Sequence, residues 1–298
     1  MKFSKPFMKI LFWWTAKKDR KRRKTFPMPE GIESKIGLPY VENGDPRQVV
    51  DIYYAKGEKR KNKVVVDIHG GFYVMGDRDN NFPFANTFLQ EGYDLVLIEY
   101  RLNDGKRDVF DELSDCATAI DFLVEHAEKL GLNMDDMYLT GDSAGGHMAL
   151  YMAEGIFNES MPIRPRKAYV KGVMVNCPAY DFAAYGGMDD FSDGFKKWYL
   201  GPRYKDVEWA KTMSSRTYIE SYKGPLFLTT CTNDFLRNDV MKLKADREEK
   251  GLPLEFLDIV SEDKKIAHVH NVIDPRFPES QQVNRAMVEF LEKVSQNS

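Results

Sequence analysis

Short apolar runs alternate with segments of helical spacing along most of this chain. The runs "VVDIYYA", "KVVVDIHG", "YDLVLIEYRL", "DMYLTG", "VKGVMVNCPA", "GPLFLTTCTND" and "LPLEFLDIV" read as strands. Between them, "NFPFANTFLQEG", "AGGHMALYMAEGIF" and "DVMKLKADREEKG" read as helices, and "PESQQVNRAMVEFLEKV" as a last one. From Val109 to Leu130 the apolar positions Phe110, Leu113, Ala117, Ile120 and Leu123 predict one long amphipathic helix, closed by Gly131. Strands that are apolar on both faces cannot leave one face in water. The pattern therefore predicts an α/β protein with a mostly parallel sheet, covered by helices on both sides.

Two stretches break the rhythm. Residues 181–223 are aromatic and charged, too long for a plain loop, and predict a helical insertion over the carboxyl ends of the strands. The opening 24 residues are basic, with Phe3, Phe7, Ile10, Leu11 and Trp14 at helical spacing. Its apolar centre is too short to span a bilayer and is interrupted by Lys9. It has no small-residue cleavage site, and the basic run behind it would oppose export. Two readings stand: a helix packing its aromatic face on the body, or a peripheral membrane contact through residues 1–24 with the cations toward anionic headgroups. No nucleic-acid recognition fold follows "KKDRKRRK", so nucleic acid is not the expected partner.

Charge sharpens the contrast. The net charge is −3, yet residues 1–25 carry ten Lys/Arg against one Asp, which leaves about −12 on the remaining 273 residues by difference. Cys116, Cys177 and Cys231 lie singly in apolar runs, with neither disulfide nor metal-ligand spacing, and favour a cytoplasmic protein with reduced core cysteines.

The candidate chemistry begins at Gly141-Asp142-Ser143-Ala144-Gly145, which fits G-x-S-x-G between a strand and a helix. In that sharp turn the serine hydroxyl is exposed at a helix N-terminus, where developing negative charge is favoured. A glycine-rich turn with a capping serine would look the same in isolation. A serine hydroxyl needs a base. His126 lies within the long helix and His147 points into the fold, while His69 opens a glycine-rich turn. His268 and His270 follow the last strand, where a base is delivered in this chain order; His268 comes first, with His270 as the alternative. Asp234 ends an apolar strand and is the candidate acid, with Asp239 as alternative and a helix N-cap as its ordinary role. At the end of another strand, His69-Gly70-Gly71-Phe72 presents backbone amides that, with the Ala144 amide, suit a tetrahedral oxyanion.

With "HGGFYVMGD", "YRL" at Tyr100–Leu102, "GDSAGG" at 141–146, "NDFL" at 233–236 and "HV" at 268–269, the chain from about Val49 onward resembles the hormone-sensitive-lipase-like esterases of the α/β-hydrolase superfamily. The resemblance implies Ser143 as nucleophile, Asp234 as acid and His268 as base. It implies an oxyanion hole from the Gly70–Gly71–Phe72 stretch and Ala144, with His69 shaping the loop. It also implies a cap built from residues 1–40 and the insertion 181–223, over a hydrolase domain of residues 41–298. Two positions depart from the family pattern: Phe72 stands for the third glycine of H-G-G-G, and Phe235 for the proline of D-P-L. The expected function is a serine carboxylesterase on short-chain or aromatic esters, needing no metal or organic cofactor. Its alternatives are an amidase or peptidase of the same fold and a non-catalytic small-molecule binder.

Overall fold

The computed structural model describes residues 17–26, 31–42, 44–184, 197 and 199–296. The aromatic spacing between Phe3 and Trp14 lies outside the described residues. So do residues 185–196 of the insertion.

Eight strands form one sheet in the order β1-β2-β4-β3-β5-β6-β7-β8. They are β1 (Glu33–Pro39), β2 (Val49–Tyr54), β3 (Val64–Ile68), β4 (Asp94–Ile98), β5 (Met137–Asp142), β6 (Gly172–Asn176), β7 (Leu226–Cys231) and β8 (Leu254–Ile259). The first two strands pair antiparallel, β1 to β2 and β2 to β4, and all other pairings are parallel. Beyond a helical stretch at residues 17–23, the helices among the described residues are α1 (Arg78–Gln90), α2 (Val109–Glu125), α3 (Ala127–Leu130), α4 (Ala144–Ile156), α5 (Val207–Thr212), α6 (Arg237–Glu249), α7 (His270–Ile273) and α8 (Pro278–Gln296).

The double-sided apolar character of the strands has a direct counterpart in packing. Alternate residues along each strand enter two separate cores, because successive side chains point to opposite faces. Val64, Val66, Val96 and Ile98 join the core beneath α2, α4 and α6. Val65, Leu95 and Leu97 join the other, beneath α1 and α8. The predicted α/β architecture is the one observed, an α/β hydrolase.

Three details differ from the sequence expectation. The helix predicted over 109–130 breaks at His126, whose ring Nδ1 turns back to the Phe122 carbonyl at 2.9 Å and ends α2. Residues 33–39, grouped by sequence with the N-terminal segment, form edge strand β1 and belong to the sheet; its mixed polar sequence carries no strand pattern. Strand β8 is only half-buried because it closes the opposite edge.

The parallel register brings the carboxyl ends of the middle strands level. Ile68 of β3 pairs with Gly141 of β5, and Asp142 of β5 with Asn176 of β6. The candidate nucleophile, acid, base and oxyanion loop all leave the sheet from that edge.

Candidate active site

Ser143 is the sharp corner between β5 and α4. Its φ of 52° and ψ of −117° lie outside ordinary L-residue space. Two glycines make the corner physically possible. A Cβ on Gly145 would lie 1.9 Å from the Ile68 carbonyl, and one on Gly141 would lie 2.4 Å from the Gly145 carbonyl. The Ser143 amide donates to the Asn176 carbonyl at 2.8 Å, which fixes the corner against β6. Ala144 is the first residue of α4, so its amide has no intrahelical acceptor.

Asp234 follows β7 and is buried. Its Oδ1 accepts from His268 Nδ1 at 2.6 Å and from the Leu236 amide at 2.9 Å, and its Oδ2 accepts from Thr230 Oγ1 at 2.7 Å. Burial alone would raise this carboxyl, but the hydrogen bonds from His268, Thr230 and Leu236 together hold it below the ordinary aspartate value. An ionised Asp234 fixes the proton of His268 on Nδ1 and leaves the Nε2 lone pair unprotonated. That Nε2 is buried and makes no hydrogen bond among the described residues.

The two sequence alternatives separate cleanly. His270 turns away, with Nδ1 3.0 Å from Ser280 Oγ, and burial pushes its pKa down to about 4. Asp239 accepts the Tyr180 amide at 3.0 Å. The Asp234–His268 pair thus forms without either of them.

The loop after β3 is built on three supports. Gly70 donates its amide to Asp142 Oδ1 at 2.9 Å, and Asn81 Nδ2 bridges that oxygen at 2.8 Å and Asp67 Oδ2 at 3.0 Å. The Gly70 amide is therefore occupied, which removes it from the set of oxyanion donors expected from the sequence and makes it a brace for the loop. His69 is buried with Nδ1 2.8 Å from the Gly70 carbonyl, and its ring stacks on Tyr100 at 4.3 Å. Burial would lower the His69 pKa, but Glu99, 3.7 Å from Nε2, outweighs it and raises the value. Tyr73 closes the loop. His147 Nε2 lies 2.8 Å from the Met213 carbonyl, an acceptor only, so Nε2 carries the proton and Tyr73 Oη donates to Nδ1 at 3.0 Å. Burial keeps His147 neutral, with its pKa lowered to about 4.

Backbone strain collects around the same place. Phe72 (φ 54°), Tyr73 (64°), Ser143 (52°), Cys177 (47°) and Val269 (49°) all adopt left-handed φ, in the loops that follow β3, β5, β6 and β8. Such conformations persist only where the surroundings over-determine them, and they concentrate at functional sites.

Asn81, Thr230 and Cys177 take part in the site without any signal in the motifs, and the motif position of Asp142 does not reveal its bracing role. Cys177, Asp234 and His268 each offer an atom that could ligate a metal, all within 4.8 Å of one another. Burial and the Asp234 charge raise the Cys177 thiol well above its ordinary value, so it stays protonated, while Asp234 and His268 already satisfy each other. That set fits an acid–base pair with a neutral thiol beside it.

Within the insertion, the buried Phe182 and Tyr199 pack against the loop after β3, their rings 5.9 and 5.3 Å from that of Tyr73, while Trp209 of α5 stacks on Phe110 of α2 at 5.8 Å. Among the described residues no helix is long and apolar enough to cross a membrane.

The BD-FAE family model matches residues 50–239, more than half of the chain. The chain belongs to the BD-FAE family. Its relatives agree with the hormone-sensitive-lipase-like resemblance of the motifs. The chain is 29% identical over 123 residues to Lipase 2 of Moraxella sp. (strain TA144), covering 39% of this chain and 28% of that protein. It is 29% identical over 125 residues to hormone-sensitive lipase of Bos taurus, covering 42% of this chain and 16% of that protein. The chain thus spans under a third of the length of either relative. Esterase B of Lactobacillus rhamnosis shares the BD-FAE chain's fold nearly end to end. Its TM-score is 0.86 at 23% identity, with 97% of this chain and 96% of that one covered.

Proposed function

We propose that this protein is a serine carboxylesterase that hydrolyses short-chain or aromatic carboxylic esters through an acyl-enzyme. The observation that carries the reading is the 2.6 Å Asp234–His268 hydrogen bond, which leaves Nε2 of His268 as an unengaged base at the edge that also holds Ser143. Relatives that are themselves an esterase and lipases support the same class.

His268 Nε2 takes the proton of Ser143 Oγ as Oγ bonds to the ester carbonyl carbon. The carbonyl π pair moves onto oxygen, and the oxyanion is met by the amides of Gly71, Phe72 and Ala144. The tetrahedral intermediate collapses, the C–O bond to the alcohol breaks, and His268 returns the proton to the departing alkoxide. Water repeats the sequence on the acyl-enzyme, releasing the acid and restoring Ser143. Asp234 stays ionised throughout and stabilises the imidazolium. The aromatic lining from Phe72 and Phe235, with Tyr73 and the insertion behind it, supports a small or flat acyl group under a cap.

Hydrolysis of p-nitrophenyl esters from acetate to decanoate, by the wild type and Ser143→Ala, tests the reading. Activity on the short esters that disappears in Ser143→Ala is expected. A Ser143→Ala protein as active as the wild type, or a wild type inert on every ester, overturns it.

A further inference from the structure

The strongly basic segment near the N-terminus, which ester hydrolysis leaves unused, has a defined place. Residues 17–23 are helical and the segment runs on to Phe26. Asp19, Arg22, Arg23 and Phe26 are half-buried, while Lys17, Lys18, Arg20, Lys21 and Lys24 are exposed. The first set recurs at intervals of three and four, so one helical face is turned to the body and the other to solvent.

The inward face is anchored at two places, the first turns of α1 and the chain just past α7. Arg23 Nε donates to the Asp79 carbonyl at 2.9 Å and to Asp79 Oδ1 at 3.1 Å, and its guanidinium lies 4.9 Å over the Phe82 ring. That carbonyl is available because Pro83, four residues on within α1, has no N–H to offer it. The same first turns of α1 carry Asn81, which braces Asp142 next to Ser143. On the other side Phe26 lies 4.4 Å beneath Arg276, which is paired with Asp274 at the end of α7, a few residues past His268.

The outward face carries cations alone apart from Thr25, and Lys18, Arg20, Lys21 and Lys24 form no salt bridge among the described residues. Four cations left exposed on one face, on a protein whose other 273 residues sum to about −12, are an electrostatic dipole. An anionic surface attracts this face and repels the rest, so it selects one orientation.

We propose that this face docks the protein on an anionic lipid surface, so that the loops carrying Ser143 and His268 lie beside the bilayer. A lipid surface is favoured over nucleic acid by the sequence immediately preceding it, where Phe3, Phe7, Ile10, Leu11 and Trp14 offer apolar and aromatic groups suited to the headgroup boundary. Docking does not depend on Ser143 or on ester hydrolysis.

Co-sedimentation of the full chain with phosphatidylcholine vesicles, with and without phosphatidylglycerol and at low and high salt, tests this. The comparison is with a K18Q/R20Q/K21Q/K24Q variant whose thermal melt matches the wild type. Expected is binding to the anionic vesicles alone, weakened by salt, with partitioning on the order of 600-fold lower in the variant, since each of the four cations near such a surface contributes roughly fivefold. Equal binding by the variant, equal binding to neutral vesicles, or no vesicle binding together with capture of a single-stranded RNA oligonucleotide overturns it.

Discussion

The Phe235 ring packs against the imidazole of His268 with centroids 4.1 Å apart, and also stacks on Phe72 at 5.6 Å with the rings within 4° of parallel. Phe235 itself is 57% exposed. One aromatic residue thus links the base to the loop proposed to hold the oxyanion. The two positions at which the motifs depart from the family pattern, Phe72 and Phe235, are the two that touch each other. Removing Phe235 frees the His268 ring to tilt and opens the rim. Phe235→Ala is expected to lower kcat on p-nitrophenyl acetate by about 5- to 30-fold, a loss of roughly 1–2 kcal/mol of positioning. It also widens tolerance for longer acyl chains, and Phe235→Tyr restores kcat. An unchanged kcat and chain-length profile in Phe235→Ala would remove this role.

The acid loop divides its carboxylate between orientation and support. Oδ1 of Asp234 holds His268, and Oδ2 is held by Thr230. Asp234→Asn presents an amide where His268 needs an acceptor and permits the wrong tautomer, so kcat/KM is expected to fall by about 10³–10⁴. Thr230→Val keeps the acceptor on Oδ1 but strips a donor from a buried charge, at a stability cost of roughly 1–3 kcal/mol. Its loss of activity is therefore smaller than that of Asp234→Asn, while its melting temperature falls further below the wild type than a surface substitution would bring it. Side-by-side kinetics and thermal melts separate the two.

Much of this arrangement is legible in the amino-acid sequence, and the reason is local. Ser143 and Asp234 each sit where an apolar run ends, so strand periodicity places them on one edge, and His268 is placed there by following the last strand in chain order, nine residues past the end of β8. The choice between His268 and His270 needs geometry, because two residues of spacing cannot say which ring turns toward β7 and which toward Ser280. The link between Asp142, Asn81 and Asp67 carries no such mark, because it crosses from a strand end to a helix turn and back, a tertiary relation with no spacing signature. The Gly70 amide misleads for the same reason: nothing in "HGGF" reveals that Asp142 claims it. Strand β1 is silent in the pattern since an exposed edge strand need not alternate.

Two glycines of the site separate folding from catalysis. A Cβ at Gly145 meets the Ile68 carbonyl at 1.9 Å, a clash between backbone segments of two core elements. Gly145→Ala is expected to accumulate poorly or melt at markedly lower temperature. A Cβ at Gly71 meets the Met75 carbonyl at 2.0 Å, but within a single loop, where φ is +134° and alanine is strained. Gly71→Ala should shift that loop alone. A melting curve close to wild type with activity reduced by about 10²–10³, the usual cost of a lost oxyanion donor, is the expected result. A Gly71→Ala enzyme of full activity would exclude this amide from the hole.

His270 gives a pH signature that is separable from catalysis. Its ring is buried against Ser280, and burial outweighs the charges of Glu279 and Asp234 to depress its pKa to about 4 from an ordinary 6.5. Above pH 6.5 it is neutral in both the folded and unfolded chain and stability is fully retained. As pH falls below 6.5 the unfolded chain takes up a proton that the folded one refuses, so stability is lost until the folded ring also protonates near pH 4. Buried Asp67, raised to about 8, Glu112 and Glu154 run the other way over the same range, stabilising the fold as pH falls. The raw pH dependence of melting therefore mixes opposing contributions, and the informative quantity is the difference between wild type and His270→Gln. Urea unfolding at a series of pH values should show the wild type losing about 1.4 kcal/mol per pH unit relative to His270→Gln between pH 6.5 and 4, with no relative change above pH 7. A difference that stays flat across that window would mean that His270 is protonated in the folded protein, and that the neutral Ser280 hydrogen bond does not describe it.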